Sequence, residues 1–265
     1  MMKKVTLSTL QQLKKSGEPI TVLTAYDATF AKLQERAGVE VILIGDSLGN
    51  VIQGHQTTVP VTIEDMCYHI ANVARGCNVP LLIGDYSYMS YATPEQAYFN
   101  ATKLMQAGAN MVKLEGGAWL SETIQGLTER GIPVCAHLGL TPQSVDALGG
   151  FKVQGKEQAS ADKLLADALA VEQAGAKLLV LECVPAALAK SISEQLSIPT
   201  IGIGAGVNCD GQVLVMHDML GLNEQFSPKF VKNFLTDSDG DIRGAFEDFV
   251  KQVKAREFPT EQHSF

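Results

Sequence analysis

Four times along this chain a short apolar run ends in an acidic residue. Val41-Ile42-Leu43-Ile44 leads through Gly45 to Asp46, and Leu81-Leu82-Ile83 leads through Gly84 to Asp85. Met111-Val112-Lys113-Leu114 runs into Glu115, and Leu178-Leu179-Val180-Leu181 runs into Glu182. A glycine able to close a helix stands before three of these runs, at Gly38, Gly108 and Gly175, and Pro80 opens the other. Apolar runs this short and this continuous read as strands buried on both faces, as in a parallel sheet. One acid at a strand end means little. Four predict a shared rim, because a closed parallel barrel gathers the carboxyl ends of its strands on one face, where active sites lie.

Taken in order, the remaining segments fit that frame. Ser8 to Lys15 reads as a short amphipathic helix with Ser8 as its cap, and Thr21 to Asp27 as the first strand. Helices are predicted over Ala28–Ala37, Glu64–Arg75, Trp119–Arg130 and Pro185–Leu196, and a further one follows Thr93-Pro94-Glu95. Ser160 reads as the cap of a helix presenting Leu164, Ala168 and Val171 on one face. Pro133 to Gly139, Pro199 to Gly204 and Gln212 to Met216 complete eight strands. Thr141 to Lys156 has no periodicity and carries Gly149, Gly150 and Gly155, so it reads as a lid. The remainder, Phe226 to Phe265, holds one clear helix near Arg243–Lys254. The expected architecture is α/β: a single (β/α)8 barrel over residues 1–265, with a short N-terminal helix and a C-terminal helical extension.

Composition removes several classes of function. A hydrophobic content of 46% over 265 residues is enough for one large core. A net charge of −8 without a basic cluster argues against nucleic acid as a partner. No apolar run approaches membrane-spanning length, and Met1-Met2-Lys3-Lys4 lacks a signal-peptide core. The five cysteines are scattered, with no C-x-x-C spacing, and read as reduced thiols of a cytoplasmic protein. Cys135 and Cys183 fall inside predicted buried strands.

The acids admit two readings each. Asp46 or Ser47 is either a helix cap or part of a metal site, since an ionised carboxylate beside a buried strand needs compensation. Lys113 and Glu115 share a strand face, either as a solvated ion pair or as a cation for an anionic substrate beside a metal-supporting acid. Asp46 and Asp85 are hard oxygen donors that suit magnesium. Zinc would require nitrogen or sulfur ligands on the same rim, and His55, His69 and His217 show no convergence. His137 therefore reads as a pocket hydrogen-bonder or a core histidine. Glu182, among apolar neighbours, is a general base or a capping or salt-bridged residue. Gly202-Ile203-Gly204-Ala205-Gly206 has no lysine or arginine near it and reads as close packing, not as a phosphate cradle.

Several stretches then carry a resemblance. They are Thr24-Ala25-Tyr26-Asp27, Gly45-Asp46-Ser47-Leu48-Gly49, Gln53-Gly54-His55 and Tyr91 to Ala97. Further along come Val112-Lys113-Leu114-Glu115-Gly116-Gly117, His137 to Gln143, Leu181 to Pro185, Gly202 to Gly206 and Asp210 to Val215. Together they resemble the ketopantoate hydroxymethyltransferase family, in order and over nearly the whole chain. The resemblance implies a TIM barrel of the phosphoenolpyruvate/pyruvate superfamily type and a homodecamer of two pentameric rings. It implies a one-carbon transferase that hydroxymethylates 3-methyl-2-oxobutanoate with 5,10-methylenetetrahydrofolate, opening pantothenate and coenzyme A synthesis. One Mg2+ per subunit would be held by Asp46, Asp85 and Glu115. The oxo acid would meet Asp46, Ser47, Asp85 and Lys113, and Glu182 would accept the proton. After Asp85 the family usually carries a proline and a phenylalanine, whereas this chain reads Tyr86-Ser87-Tyr88-Met89.

Two rivals compete with that reading. One is a magnesium-dependent carbon–carbon lyase or phosphonomutase of the same superfamily, which in the lyases uses a reactive loop cysteine. The other is a non-catalytic barrel that binds an oxo acid. Lys113, Glu115 and Glu182 together argue against the latter, because binding alone needs no base.

Overall fold

Every strand is buried throughout, save the last residues of the fifth and sixth, Gly139 and Glu182, in the computed structural model, which describes residues 3–223 and 228–265. Met1 and Met2, at the predicted amino terminus, and residues 224–227, which include the start of the predicted remainder at Phe226, lie outside the described residues. In chain order the elements are α1 (Leu7–Ser16), β1 (Ile20–Thr24), α2 (Ala28–Ala37), β2 (Val41–Ile44), α3 (Leu48–Val51), α4 (Ile63–Gly76) and β3 (Leu81–Asp85). Then follow α5 (Pro94–Ala107), β4 (Met111–Glu115), a 3-10 turn at Ala118–Leu120, α6 (Ser121–Glu129) and β5 (Val134–Gly139). A second 3-10 turn at Pro142–Ser144 leads to α7 (Val145–Leu148), α8 (Gln158–Gln173), β6 (Leu178–Glu182), α9 (Ala186–Gln195), β7 (Thr200–Ile203) and β8 (Gly211–Leu214). The chain continues through α10 (Met216–Met219), α11 (Phe234–Asp237) and α12 (Ile242–Lys254).

The eight strands are parallel and close in sequence order, β1 pairing with β2 (Val22 with Val41) and with β8 (Ile20 with Gly211). This is the (β/α)8 barrel expected from the recurrent run-and-acid pattern. The helix–strand junctions show why that pattern works. Gly38, Gly108 and Gly175 adopt φ of +89°, +122° and +110°, which a side chain would disfavour, so each turns the chain sharply from a helix into the next strand. The starts of the helices are held by side chains: Asp27 accepts from the Thr29 and Phe30 amides, and Thr62 and Asp65 form a reciprocal capping box on α4. Thr93 caps α5, with Pro94 at its first position.

Some local expectations are corrected. Thr6, not Ser8, caps α1. Helix α8 begins at Gln158, so Ser160 lies within its first turn and donates to the Glu157 carbonyl instead of capping it. Cys183 lies one residue beyond β6, buried and at φ +48°. The supposed structureless lid is partly helical at its root, through Pro142–Ser144 and α7. Gly204 packs where a Cβ would touch Phe230 and Phe265, as the close-packing reading requires. Helix α12 closes the barrel's flank against α2 and β1, with Phe249 meeting Phe234 and Phe258, and Phe246 meeting Phe30. No helix among the described residues is long and apolar enough to cross a membrane.

Candidate active site

Three consecutive strands carry the acids inward at their carboxyl ends. Asp85 and Glu115 are the last residues of β3 and β4, and Asp46 follows β2 by two positions. The register sets Asp85 beside Lys113, Glu115 beside His137, and Gly139 of β5 beside Glu182 of β6. Parallel pairing thus turns residues far apart in the chain into one contiguous arc.

Within that arc Asp46, Asp85 and Glu115 are all buried, and one carboxylate oxygen from each lies within 4.8 Å of the others. The Lys113 ammonium sits 2.5 Å from Asp85 Oδ2 and 3.6 Å from Glu115 Oε1. One lysine cannot balance three carboxylates in a site from which water is largely removed. The strain appears in the acid strengths. Burial, together with the charges of Asp85 and Glu115, raises the Asp46 carboxyl well above the usual range. Burial also raises Asp85, against the pull of Lys113. At Glu115 burial is outweighed by Lys113, His137 and the Gln143 amide, so its carboxyl is lowered. Burial would strip the Lys113 proton, but Asp85, Glu115 and Asp46 override it and hold the ammonium charged.

The hydrogen bonds split the carboxylates in a consistent way. Asp85 Oδ2 is held by Lys113, whereas Asp85 Oδ1 is buried with no hydrogen-bond partner. Glu115 Oε2 accepts from the Gln143 amide at 3.1 Å, and Glu115 Oε1 has no hydrogen-bond partner. Asp46 Oδ2 accepts from Gln143 Nε2 at 2.9 Å. Protein donors fix one oxygen of each acid, while Asp85 Oδ1 and Glu115 Oε1 are buried without a hydrogen bond, the latter with only longer contacts to Lys113 and His137. An all-oxygen set with unmet acceptors and excess negative charge fits a hard divalent cation such as magnesium, and the absence of cysteine or histidine from the trio disfavours zinc.

His137 joins this cluster to the candidate base. Its Nδ1 lies 3.3 Å from Glu115 Oε1 and its Nε2 3.2 Å from Glu182 Oε2, neither in hydrogen-bond geometry. Burial and Lys113 lower its basicity, but the two glutamates more than compensate and raise it to about 9. The carboxylate of Glu182 therefore has an imidazole against it, not the purely apolar setting read from its strand. Ser47 opens α3 without a side-chain capping bond, and its hydroxyl pairs with the Tyr26 hydroxyl at 2.9 Å. The capping alternative for Ser47 is not what its side chain does. His69 and His217 both pack on Tyr26, with ring centroids 6.3 and 5.6 Å away, and among the described residues neither joins a cluster that could hold a metal.

Sequence reasoning missed Gln143, Tyr91 and Tyr86. Gln143 also donates to the Tyr86 carbonyl at 2.8 Å and accepts from the Tyr91 hydroxyl at 2.7 Å. The signal was present: Thr141-Pro142 is a helix-opening pair, so the glutamine after it stands in an ordered turn. The departure at residues 86–89 leaves the acids in place. Tyr86 is fully buried and donates to the Ala97 carbonyl, Met89 takes φ +58°, and Tyr88 and Met89 stand exposed. A cavity of about 230 Å³ past the ends of β4 and β5 is lined by Gly116, Leu138, Gly139, Gln154 and Asp167 among others, and by no residue of the arc. A larger hollow of about 800 Å³ lies between α2 and α4 and contains none of the acids. Burial pushes the thiols of Cys77, Cys135 and Cys209 up to about 11, 12 and 12, the reverse of an activated nucleophile.

Comparison with known proteins agrees over the full length. The sequence profile of the family described as ketopantoate hydroxymethyltransferase matches residues 4–261. The chain is 62% identical to the 3-methyl-2-oxobutanoate hydroxymethyltransferase of Idiomarina loihiensis, over 99% of this chain and 98% of that one. It is 59% identical to that of Shewanella loihica, covering all of both. Among solved structures it resembles phosphonopyruvate hydrolase in complex with oxalate and Mg++ (TM-score 0.63, 15% identity, 99% and 93% coverage). It also resembles 2,3-dimethylmalate lyase, a PEP mutase/isocitrate lyase superfamily member (TM-score 0.59, 14% identity, 95% and 98% coverage). At these identities the two structures speak for the fold alone.

Proposed function

The chain belongs to the ketopantoate hydroxymethyltransferase family, and on that premise we propose that it makes 2-dehydropantoate and tetrahydrofolate from 3-methyl-2-oxobutanoate and 5,10-methylenetetrahydrofolate. This would be the entry step of pantothenate synthesis. The observation that supports the reading most is the single arc at one barrel mouth of buried Asp46, Asp85, Glu115, Lys113 and His137 with the partly exposed Glu182 at its end. Asp46, Asp85 and Glu115 would hold Mg2+, whose chemistry when bound is Lewis-acid polarisation of a carbonyl and neutralisation of developing charge.

The chain's own groups account for the rest. Lys113 supplies positive charge for the oxo acid's carboxylate, and the Ser47 hydroxyl, oriented by Tyr26, offers a further hydrogen bond. Glu182 takes the proton from C3, and the electron pair of that C–H bond delocalises toward the keto group. His137 lies against the Glu182 carboxylate and keeps it facing the arc. The C3 carbon then forms its bond to the methylene carbon as both C–N bonds of that carbon to folate break. One water supplies the oxygen and hydrogen of the new hydroxyl, and its other proton and the one taken by Glu182 go to the two folate nitrogens. The segment over residues 141–156, tied to the site through Gln143, would cover it and limit further solvent access. Assembly as a homodecamer goes with this reading. Exposed Tyr68 on α4 and Phe99 on α5, beside the Lys103–Glu64 pair, offer an aromatic face for a second copy.

A general base is worth about 10²–10⁴-fold in rate. Glu182→Gln should lower turnover by that order while oxo-acid binding survives. The direct readout is exchange of the C3 proton of 3-methyl-2-oxobutanoate with deuterated solvent, without folate. Exchange at the parent rate in Glu182→Gln would remove Glu182 from the proton transfer.

A further inference from the structure

Gln143 is 5% exposed and spends every polar atom of its side chain inside the arc. Its two amide hydrogens go to Asp46 Oδ2 (2.9 Å) and the Tyr86 carbonyl (2.8 Å), and its Oε1 accepts from Tyr91 (2.7 Å). Its backbone N–H goes to Glu115 Oε2 (3.1 Å). One residue therefore touches two of the three acids, Asp46 just after β2 and Glu115 at the end of β4, and holds one oxygen of each.

We propose that Gln143 is a positioning residue that holds Asp46 and Glu115 in cation-accepting geometry and couples cation binding to the order of residues 145–156. The inference rests on reading the acid trio as a cation site. The residue type itself argues for it. The side-chain amide restrains Asp46, while the backbone N–H restrains Glu115, and neither adds charge between two mutually repelling carboxylates. A lysine would neutralise them and compete with the cation, and a glutamate would add a fourth buried acid. The Tyr91 hydroxyl, donating to Oε1, fixes the amide so that its nitrogen faces Asp46.

The coupling follows from where Gln143 sits. It lies in the Pro142–Ser144 turn, and its backbone bond to Glu115 requires that turn to be formed. Directly after it come α7 and three glycines at positive φ, Gly149, Gly150 and Gly155. These glycines lose much conformational freedom when the segment is ordered. A ligand that fixes the acids fixes the acceptors of Gln143, and by linkage an ordered turn favours the ligand to the same degree.

Gln143→Met keeps the volume and removes the side-chain donors to Asp46 and the Tyr86 carbonyl while leaving the backbone bond to Glu115, and Tyr91→Phe, a milder change, removes only the hydroxyl that orients the amide. The probe is Mn2+ added to metal-free protein and followed by electron paramagnetic resonance. Hydrogen exchange of the 145–156 amides with and without Mn2+ is measured in parallel. The parent should bind one Mn2+ per chain and slow exchange in the segment. Gln143→Met should bind roughly 10–100-fold more weakly, as outer-shell partners of metal ligands do, and lose the slowing. Tyr91→Phe should move the same way by less, and it decides the matter if Gln143→Met does not fold. Parent-like Mn2+ affinity with only a lowered melting temperature would make the role merely structural and overturn the inference. Weakened affinity with undiminished slowing at saturation would overturn the coupling. A parent that binds no Mn2+ would overturn this inference and the cation reading together.

Discussion

The two ends of the barrel use the same residue types and treat them in opposite ways. At the amino-terminal end of the strands, acids staple the chain. Asp210 Oδ2 accepts from Lys14 Nζ (2.7 Å), the Thr200 amide (2.8 Å) and the Thr200 hydroxyl (3.0 Å). Glu40 takes the Thr21 amide and Lys254, Glu35 the amides of Asn78 and Val79, and Glu172 those of Ser197 and Ile198. Each of these carboxylates is matched by donors and keeps some solvent contact. At the carboxyl-terminal mouth, Asp46, Asp85 and Glu115 are nearly inaccessible, outnumber their lysine, and leave acceptors unmet. An acid that is answered serves stability. A cluster that is not answered costs stability and implies a ligand that is to supply the missing charge.

That contrast can be broken at either end. The largest effect is expected at the mouth, where Asp46→Asn should lower kcat/KM by roughly 10²–10³-fold, as loss of one electrostatic stabiliser does. In chelator the same variant should melt higher than the parent, because a buried repulsion is gone. A lower melting temperature would show that the mouth is not strained. Next, Asp210→Ala should cost roughly 3 kcal/mol of stability, the low end for a broken ion pair because both partners keep some solvent contact. Oxo-acid KM should stay unchanged, and a shifted KM would mean that the ends are not separable. The smallest effect belongs to Asp218, a member of neither set of acids. Burial raises its carboxyl to about 6, with Asn223 pulling the other way. The folded chain thus holds this proton more tightly than the unfolded one, so the stability this group contributes is full below about pH 4 and is lost as pH rises through 6. Asp218→Asn should flatten that slope and gain on the order of 2 kcal/mol at pH 8. Parallel urea midpoints for parent and variant at pH 5 and pH 8 would refute it.

The mouth was legible in the sequence because its signals are local. The apolar run, the acid after it and the glycine before it lie within a few residues of one another, and barrel closure does the rest. The answered acids were not legible, since Glu35 meets Asn78 and Glu172 meets Ser197 across a helix and a strand whose relative placement no local pattern encodes. Gln143 escaped for a different reason. Thr141 to Lys156 lacks periodicity as a whole, and three glycines masked an ordered turn at its start. The contact between Glu182 and His137 depends on the register of β5 against β6, which pattern alone leaves open. Tyr26 was visible only as part of a matched stretch, although it gathers His69, His217 and Ser47 around one ring.

The most direct test is anomalous diffraction from a crystal of the metal-free protein soaked in Mn2+. The account predicts one strong peak per chain, in contact with carboxylate oxygens of Asp46, Asp85 and Glu115, and its loss in Asp46→Asn. A peak elsewhere, or a mouth that stays empty while the protein turns over in exhaustive chelator, would contradict it.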